Sequence, residues 1–193
     1  MASICVFCGA NPGATASFAS GAARLGTALA EGGHRLVYGG GRVGLMGVLA
    51  DAALSGGGEV IGVIPQAMVD REVAHRGLTE LIVTESMHTR KAAMSDRADG
   101  FIALPGGYGT LDEVIEILTW NQIGTIAKPV AFLDVEGYFA KLFEFFDHAV
   151  DVGLIKPEHR MLAQHTTEVE EAIAIADGPA PFSPSKWTDP TVR

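Results

Sequence analysis

Basic residues are scarce in this chain. Lys and Arg together number 14 against 23 Asp and Glu in 193 residues, leaving a formal charge of −9 at pH 7. Long nucleic acids are held by basic stripes that displace counterions, so that class of partner is excluded. An anionic ligand has to be held locally, by a few placed groups. Long hydrophobic runs are missing too: no stretch approaches the ~20 apolar residues that cross a bilayer. Met1-Ala2-Ser3 passes straight into a strand pattern, without the basic segment and cleavage site of a secretory leader. A cytoplasmic protein with no membrane contact is expected. Cysteine is nearly absent. Cys5 and Cys8 are the only two, and their C-x-x-C spacing invites a redox or metal reading. Against it, residues three apart on a strand face opposite sides, no second pair completes a zinc site, and a thioredoxin-like pair would open a helix. Buried free thiols are expected. His75, His88, His148, His159 and His165 show no metal-ligand spacing and are read as surface or capping residues, so no metal is expected.

What is present suffices for a core. With 48% hydrophobic residues and a mean hydropathy of +0.24, the chain can bury a sizeable interior within the size of one domain. Strands are predicted at 3–7, 35–38, 59–64, 81–84, 101–104 and 130–133. Helices are predicted at 15–31, 45–55, 87–98, 110–121, 138–152 and 168–176, with a long polar loop at 65–78. Strand and helix in alternation predict an α/β fold: a Rossmann-like, doubly wound parallel sheet with helices on both faces, in one domain over residues 1–177. Residues 178–193 include Pro179, Pro181, Pro184 and Pro190 and are expected to form an extended, poorly ordered tail, with Trp187 its one candidate for docking. On the helix predicted at 138–152, Phe139, Leu142, Phe143, Phe146 and Val150 form an apolar stripe for the core. Phe145 lies off that stripe, toward a partner subunit.

The densest signal runs from Asp99 to Gln122. Phe101-Ile102-Ala103-Leu104 is a strand-like run that Pro105-Gly106-Gly107 stops, and Thr110 is a suitable N-cap for Leu111, Val114, Ile115 and Leu118 at helical spacing. A helix starting at Thr110, behind a loop bare of side chains at Gly106, Gly107 and Gly109, makes a concave surface of N–H donors at the positive end of the helix dipole. Such a surface favours a phosphate. Thr110 and Glu113 also read as a capping box, which would be satisfied locally. Capping explains neither the three glycines nor the crowding of Asp112, Glu113 and Glu116. Earlier, Gly39-x-Gly41-x-x-Gly44 fits the dinucleotide fingerprint, but Ile64-Pro65-Gln66 offers no acid to bind the ribose. Arg90 and Lys91 stand near a helix start, against its dipole. All βα turns of a parallel sheet share one rim, so this basic pair faces the anion-binding turn and suits phosphate or purine recognition.

Pro105-Gly106-Gly107-Tyr108-Gly109-Thr110-Leu111-Asp112-Glu113 resembles the PGGxGTxxE signature of the LONELY GUY family, cytokinin-activating phosphoribohydrolases whose members have often been labelled lysine decarboxylases. Gly39 to Gly47 resembles the family's GGGxxGLMG segment and Met87-His88-Thr89-Arg90-Lys91 its M-H-x-R-K segment, in the same order over residues 3–176. The resemblance implies hydrolysis of the N-glycosidic bond of an adenosine 5′-monophosphate, often N6-substituted, to the free base and ribose 5-phosphate, with no cofactor and by at least a homodimer. It implies Arg90 and Glu113 as catalytic residues. Substrate contacts are implied at Glu72, Arg90, Lys91, Gly106, Gly107, Tyr108, Gly109, Thr110, Glu113 and Thr119, with Gly9, Gly39, Gly40, Gly41 and Gly44 in the nucleotide loops. Asp112 stands where many plant members carry Glu. Two alternatives stay open: a non-catalytic nucleotide or molybdenum-cofactor carrier on the same fold, and a pyridoxal-phosphate lysine decarboxylase, for which no lysine is singled out as a Schiff base.

Overall fold

The computed structural model describes residues 1–71 and 73–181; the end of the predicted tail, Trp187 included, lies outside them. The elements in chain order are β1 (Ser3–Phe7), α1 (Ala16–Glu31), β2 (Arg35–Tyr38), α2 (Gly44–Ser55), β3 (Val60–Pro65), α3 (Gln66–Val69), β4 (Glu80–Thr84), α4 (Met87–Arg97), β5 (Gly100–Ala103), α5 (Tyr108–Gln122), β6 (Val130–Leu133), α6 (Ala140–Asp151), α7 (Pro157–Arg160), β7 (Gln164–Thr166) and α8 (Val169–Ala176). The seven strands form one parallel sheet in the order β4-β3-β2-β1-β5-β6-β7, the expected Rossmann-like winding. The order reverses at β1. Ile4 pairs with Leu36 of β2 on one side and with Gly100 of β5 on the other. The chain winds outward through β4, crosses back, and winds the opposite way from β5, so the turns after β1 and β5 part at the carboxyl edge and leave a crevice.

The central strands are buried on both faces, which is why they read as continuous apolar runs. On one face Leu25 and Leu29 of α1, Leu49 of α2 and Ala172 of α8 pack over Ile4, Leu36 and Ile102. On the other, Met94 of α4, Val114 and Ile117 of α5, and Phe143 and Phe146 of α6 cover Cys5, Phe101 and Phe132. Cys8 belongs to the first layer, so the two thiols lie on opposite faces of the sheet, free and buried. Desolvation pushes both well above the ordinary thiol range, which keeps them protonated and unreactive.

Several expectations need correction. Gln66–Val69 form a short helix inside the predicted polar loop, and α7 and β7 follow α6 where nothing was predicted. β7 carries Gln164, His165 and Thr166 as an edge strand with no apolar run to announce it. His159 is buried, with its ring nitrogen 3.1 Å from Gln122 Nε2, and is not a surface residue. No described helix is long and apolar enough to cross a membrane.

Helices α1 and α2 lie close because of their small residues. A Cβ at Gly26 would collide with the Leu49 carbonyl oxygen and sit 3.0 Å from Ala52 Cβ. Alanine is the better helix former by about 1 kcal/mol, but backbone cannot move aside as a side chain does, and overpacking costs about 1–3 kcal/mol. Gly26→Ala is therefore expected to lower stability, despite the gain in propensity, and urea unfolding gives the sign.

Candidate active site

Helix α5 begins at Tyr108 with Gly107 as its N-cap and no capping side chain, two residues before the start predicted at Thr110. Thr110 is the third helical residue and is buried, its hydroxyl folded back over Gly106, where a Cβ would run into it. The capping box does not form. Bare backbone at Gly106 and Gly107 lets the chain enter the helix directly, and the N–H groups of Tyr108, Gly109 and Thr110 have no acceptor within the helix. A Cβ at Gly107 or Gly109 would meet nothing within 4 Å, so this donor surface opens to solvent beside a 94% exposed Tyr108.

The turn after β1 is tied to it: Gly9 N–H donates to the Pro105 carbonyl at 3.0 Å. Gly9 to Asn11, Pro105 to Gly107 and Tyr138 enclose a cleft of about 180 Å³ at the point where the strand order reverses. The other glycine segment serves a different end. The Leu45 N–H at the start of α2 already donates to the Gly9 carbonyl at 3.0 Å, which occupies one of the donors that the dinucleotide fingerprint would offer to pyrophosphate. Gly39 is required by Arg90, whose guanidinium fills the space a Cβ would take.

Arg90 is 6% exposed, so it is a buried charge and not a solvated one. It sits in the first turn of α4, a helix capped by reciprocal bonds between Ser86 and Thr89. Its Nη1 donates to Glu113 Oε1 at 2.5 Å, its Nε to the Val63 carbonyl at 2.9 Å, and its Nη2 to the Gly39 carbonyl at 3.4 Å. Glu113 is likewise buried, one turn inside α5. Desolvation raises its carboxyl above the ordinary glutamate range, and the charge and hydrogen bond of Arg90 pull against that rise. Lys91 reaches Asp112 at 3.0 Å and Glu116 at 3.1 Å. Desolvation alone would lower its ammonium, but the hydrogen bonds it donates to those two carboxylates carry it above the ordinary lysine range. A Schiff-base lysine needs the opposite shift, so Lys91 is unsuited to the decarboxylase reading.

The structure thus brings Arg90, Lys91, Gly106 to Thr110 and Glu113 to one rim, with Gly9 and the Gly39 to Gly44 loop beside them. Glu72 lies outside the described residues; its neighbour Val73 accepts from the Arg42 N–H at 2.9 Å, so the chain here runs against the glycine loop. Thr119 is not brought to the rim. It lies ~13 Å along α5 from Thr110 at 1.5 Å per residue, its hydroxyl bonded to the Ile115 carbonyl, in a separate groove with Ile115, Leu118 and Arg160. Sequence reasoning missed Tyr138, whose hydroxyl donates to the Gly106 carbonyl at 2.6 Å; its place just after a strand end, on the shared rim, was the available signal. Among the described residues, no group of three or more His, Cys, Asp or Glu could hold a metal ion.

Removing Arg90 would leave Glu113 buried without its hydrogen-bonded counter-charge, with only the weaker pull of Lys91 remaining. Its carboxyl would then rise further and keep its proton in the folded chain at a pH where the unfolded chain, at an ordinary 4.5, has lost it. A carboxyl raised on folding costs stability as pH climbs from that unfolded value through the folded one. Arg90→Met is therefore expected to lose about 3 kcal/mol at pH 8, with the gap to the native chain shrinking toward pH 4. Denaturant unfolding at the two pH values checks it; an equal loss at both would contradict the pairing.

Comparison with known proteins identifies relatives of the chain. The family profile described as "Possible lysine decarboxylase" matches residues 46–175. A cytokinin riboside 5′-monophosphate phosphoribohydrolase of Arabidopsis thaliana is 45% identical over 170 residues, 88% of this chain and 80% of that one. Its counterpart of the same name in Rhodococcoides fascians is 47% identical over 178 residues, 92% and 90% of the two chains. Among solved structures, the molybdenum cofactor carrier protein of Chlamydomonas reinhardtii superposes with a TM-score of 0.68 at 26% identity, over 89% of this chain and 92% of that one. With the glycine turn, the Arg90–Glu113 pair and this identity along nearly its whole length, the chain belongs to the LONELY GUY family of cytokinin riboside 5′-monophosphate phosphoribohydrolases.

Proposed function

We propose that the chain hydrolyses the N-glycosidic bond of adenosine 5′-monophosphates, cytokinin nucleotides among them, releasing the base and ribose 5-phosphate in the cytoplasm. The observation that carries this reading is the buried Arg90–Glu113 ion pair one turn behind an open helix N-terminus. The N–H groups of the first turn of α5 take the 5′-phosphate, which places the ribose further into the cleft. As the C1′–N9 bond breaks, the ribose becomes cationic and the purine anionic. Glu113 answers the first charge and orients the attacking water. Arg90 answers the second electrostatically and not as an acid, since a guanidinium holds its protons too tightly to release one. The two side chains form a fixed dipole that runs opposite to the dipole of the transition state, and they are held before the substrate arrives, so little reorganisation is left for the reaction.

A homodimer belongs to the same proposal. Phe145, Val152, Leu154 and Met161 leave apolar surface exposed on and after α6, next to the groove that holds Thr119. We assign that side to a second copy, and light scattering at micromolar concentration should give twice the chain mass.

Two measurements test the chemistry. First, AMP and adenosine should differ in kcat/KM by about a hundredfold or more, because only the nucleotide uses the donors of α5; a carrier, by contrast, would bind AMP and release no adenine. Second, Glu113→Gln keeps an acceptor for Arg90 but removes the charge. Losing one such electrostatic partner costs about 3 kcal/mol, a hundredfold in kcat. Near-native kcat in a folded Glu113→Gln chain would remove Glu113 from the mechanism.

A further inference from the structure

Tyr138 stands where the turn after β6 meets the turn after β5. Val135 to Tyr138 form a tight reversal closed by the Tyr138 N–H donating to the Val135 carbonyl at 3.2 Å. Both central residues are in the left-handed region, Glu136 at φ 57° and Gly137 at φ 72°. Glu136 is the only non-glycine residue with positive φ among the described residues. Such strain persists where the surroundings over-determine it, and it gathers at functional sites. Here the Glu136 carboxylate accepts from the Thr15 and Ser17 hydroxyls at the start of α1, at 3.2 and 2.5 Å, where the helix dipole also favours negative charge. The strained turn is thereby fixed to α1 and holds Tyr138 against the glycine turn, its ring edge-on to Phe18 at 5.8 Å and its hydroxyl 2.6 Å from the Gly106 carbonyl.

Tyr138 is 45% exposed, so its hydroxyl could be satisfied by water and has no need of Gly106. The Gly106 carbonyl does need a fixed direction. Its oxygen and the Gly107 N–H belong to one planar peptide unit, so holding the oxygen orients the amide. Gly107 is the N-cap of α5, and a Cβ there would meet nothing within 4 Å, so on that side no packed side chain fixes the peptide. We infer that Tyr138 is a positioning residue for the phosphate turn, aiming the Gly107 N–H at the 5′-phosphate through the Gly106 carbonyl. This inference rests on the reading of the α5 start as the phosphate site.

The test is Tyr138→Phe in the full chain, which removes the hydroxyl and keeps the ring on Phe18. Native and variant chains are compared for kcat and KM with AMP, kcat/KM with adenosine, and calorimetric Kd for ribose 5-phosphate. The variant is expected to raise KM for AMP and Kd for ribose 5-phosphate about fivefold, the usual worth of one hydrogen bond. Its kcat/KM for adenosine should match the native chain, and its melting temperature should stay within about 3 °C. A tyrosine that served only stability would weaken AMP and adenosine turnover alike. That result overturns the inference, as does an unchanged Kd for ribose 5-phosphate in the variant. Tyr138→Ala, which also removes the ring, must lose at least as much affinity for ribose 5-phosphate; native affinity there would equally sink it. The native chain judges the underlying reading separately: equal turnover of AMP and adenosine by the native chain refutes the phosphate site before any variant is compared.

Discussion

Burying the Arg90 guanidinium makes demands on three other segments. A charge taken out of water is tolerated only when paired and hydrogen-bonded. Val63 at the end of β3 and Gly39 after β2 supply carbonyls, Glu113 on α5 supplies the counter-charge, and Gly39 must also lack a side chain so that the guanidinium fits. The planar fork of arginine meets these partners in three directions at once, which a lysine ammonium on the same stem could not match. One side chain of α4 therefore fixes how the strand ends, the glycine loop and α5 stand relative to one another.

The sheet topology decides where that cluster lies. Because the strand order reverses between β1 and β5, the Gly9 and Pro105 turns diverge, and a bond from the Gly9 N–H to the Pro105 carbonyl sets the floor of the crevice they leave. The N-cap of α5, Gly107, lines that crevice, while the start of α2 spends its Leu45 N–H on Gly9. Two glycine-rich turns thus face the same rim with unequal roles. One presents bare donors, and the other closes its own helix and makes room for Arg90.

The fold was legible because each central strand is a short apolar run between turn residues, and the glycine turn because Pro105-Gly106-Gly107 follows such a run directly. Residues whose role depends on a partner far along the chain were not. Thr110 has the side chain of a good N-cap, and local propensity alone starts α5 there; the open backbone of Gly106 and Gly107 starts it earlier and leaves Glu113 free to meet a residue 23 positions away. Arg90 was legible as a basic residue on the rim, but its burial and its pairing with Glu113 were not, for the same reason. His159 carries no local sign of burial, and Gln164 to Thr166 pair as a strand on the strength of β6 beside them. Thr119 reached the site by resemblance alone, and its helical phase turns it to another groove.

Arg90 and Lys91 are adjacent on α4, and both are answered by acids from a single stretch of α5, Asp112 to Glu116. Two neighbouring cations gripped by three carboxylates of one helix act as a double latch. A slide of α5 by one turn past α4 would let Asp112 and Glu116 exchange places on Lys91 but would set Gly109 or Ile117 against the buried Arg90 and leave it unpaired, so Arg90 opposes the shear motions by which packed helices often admit a ligand.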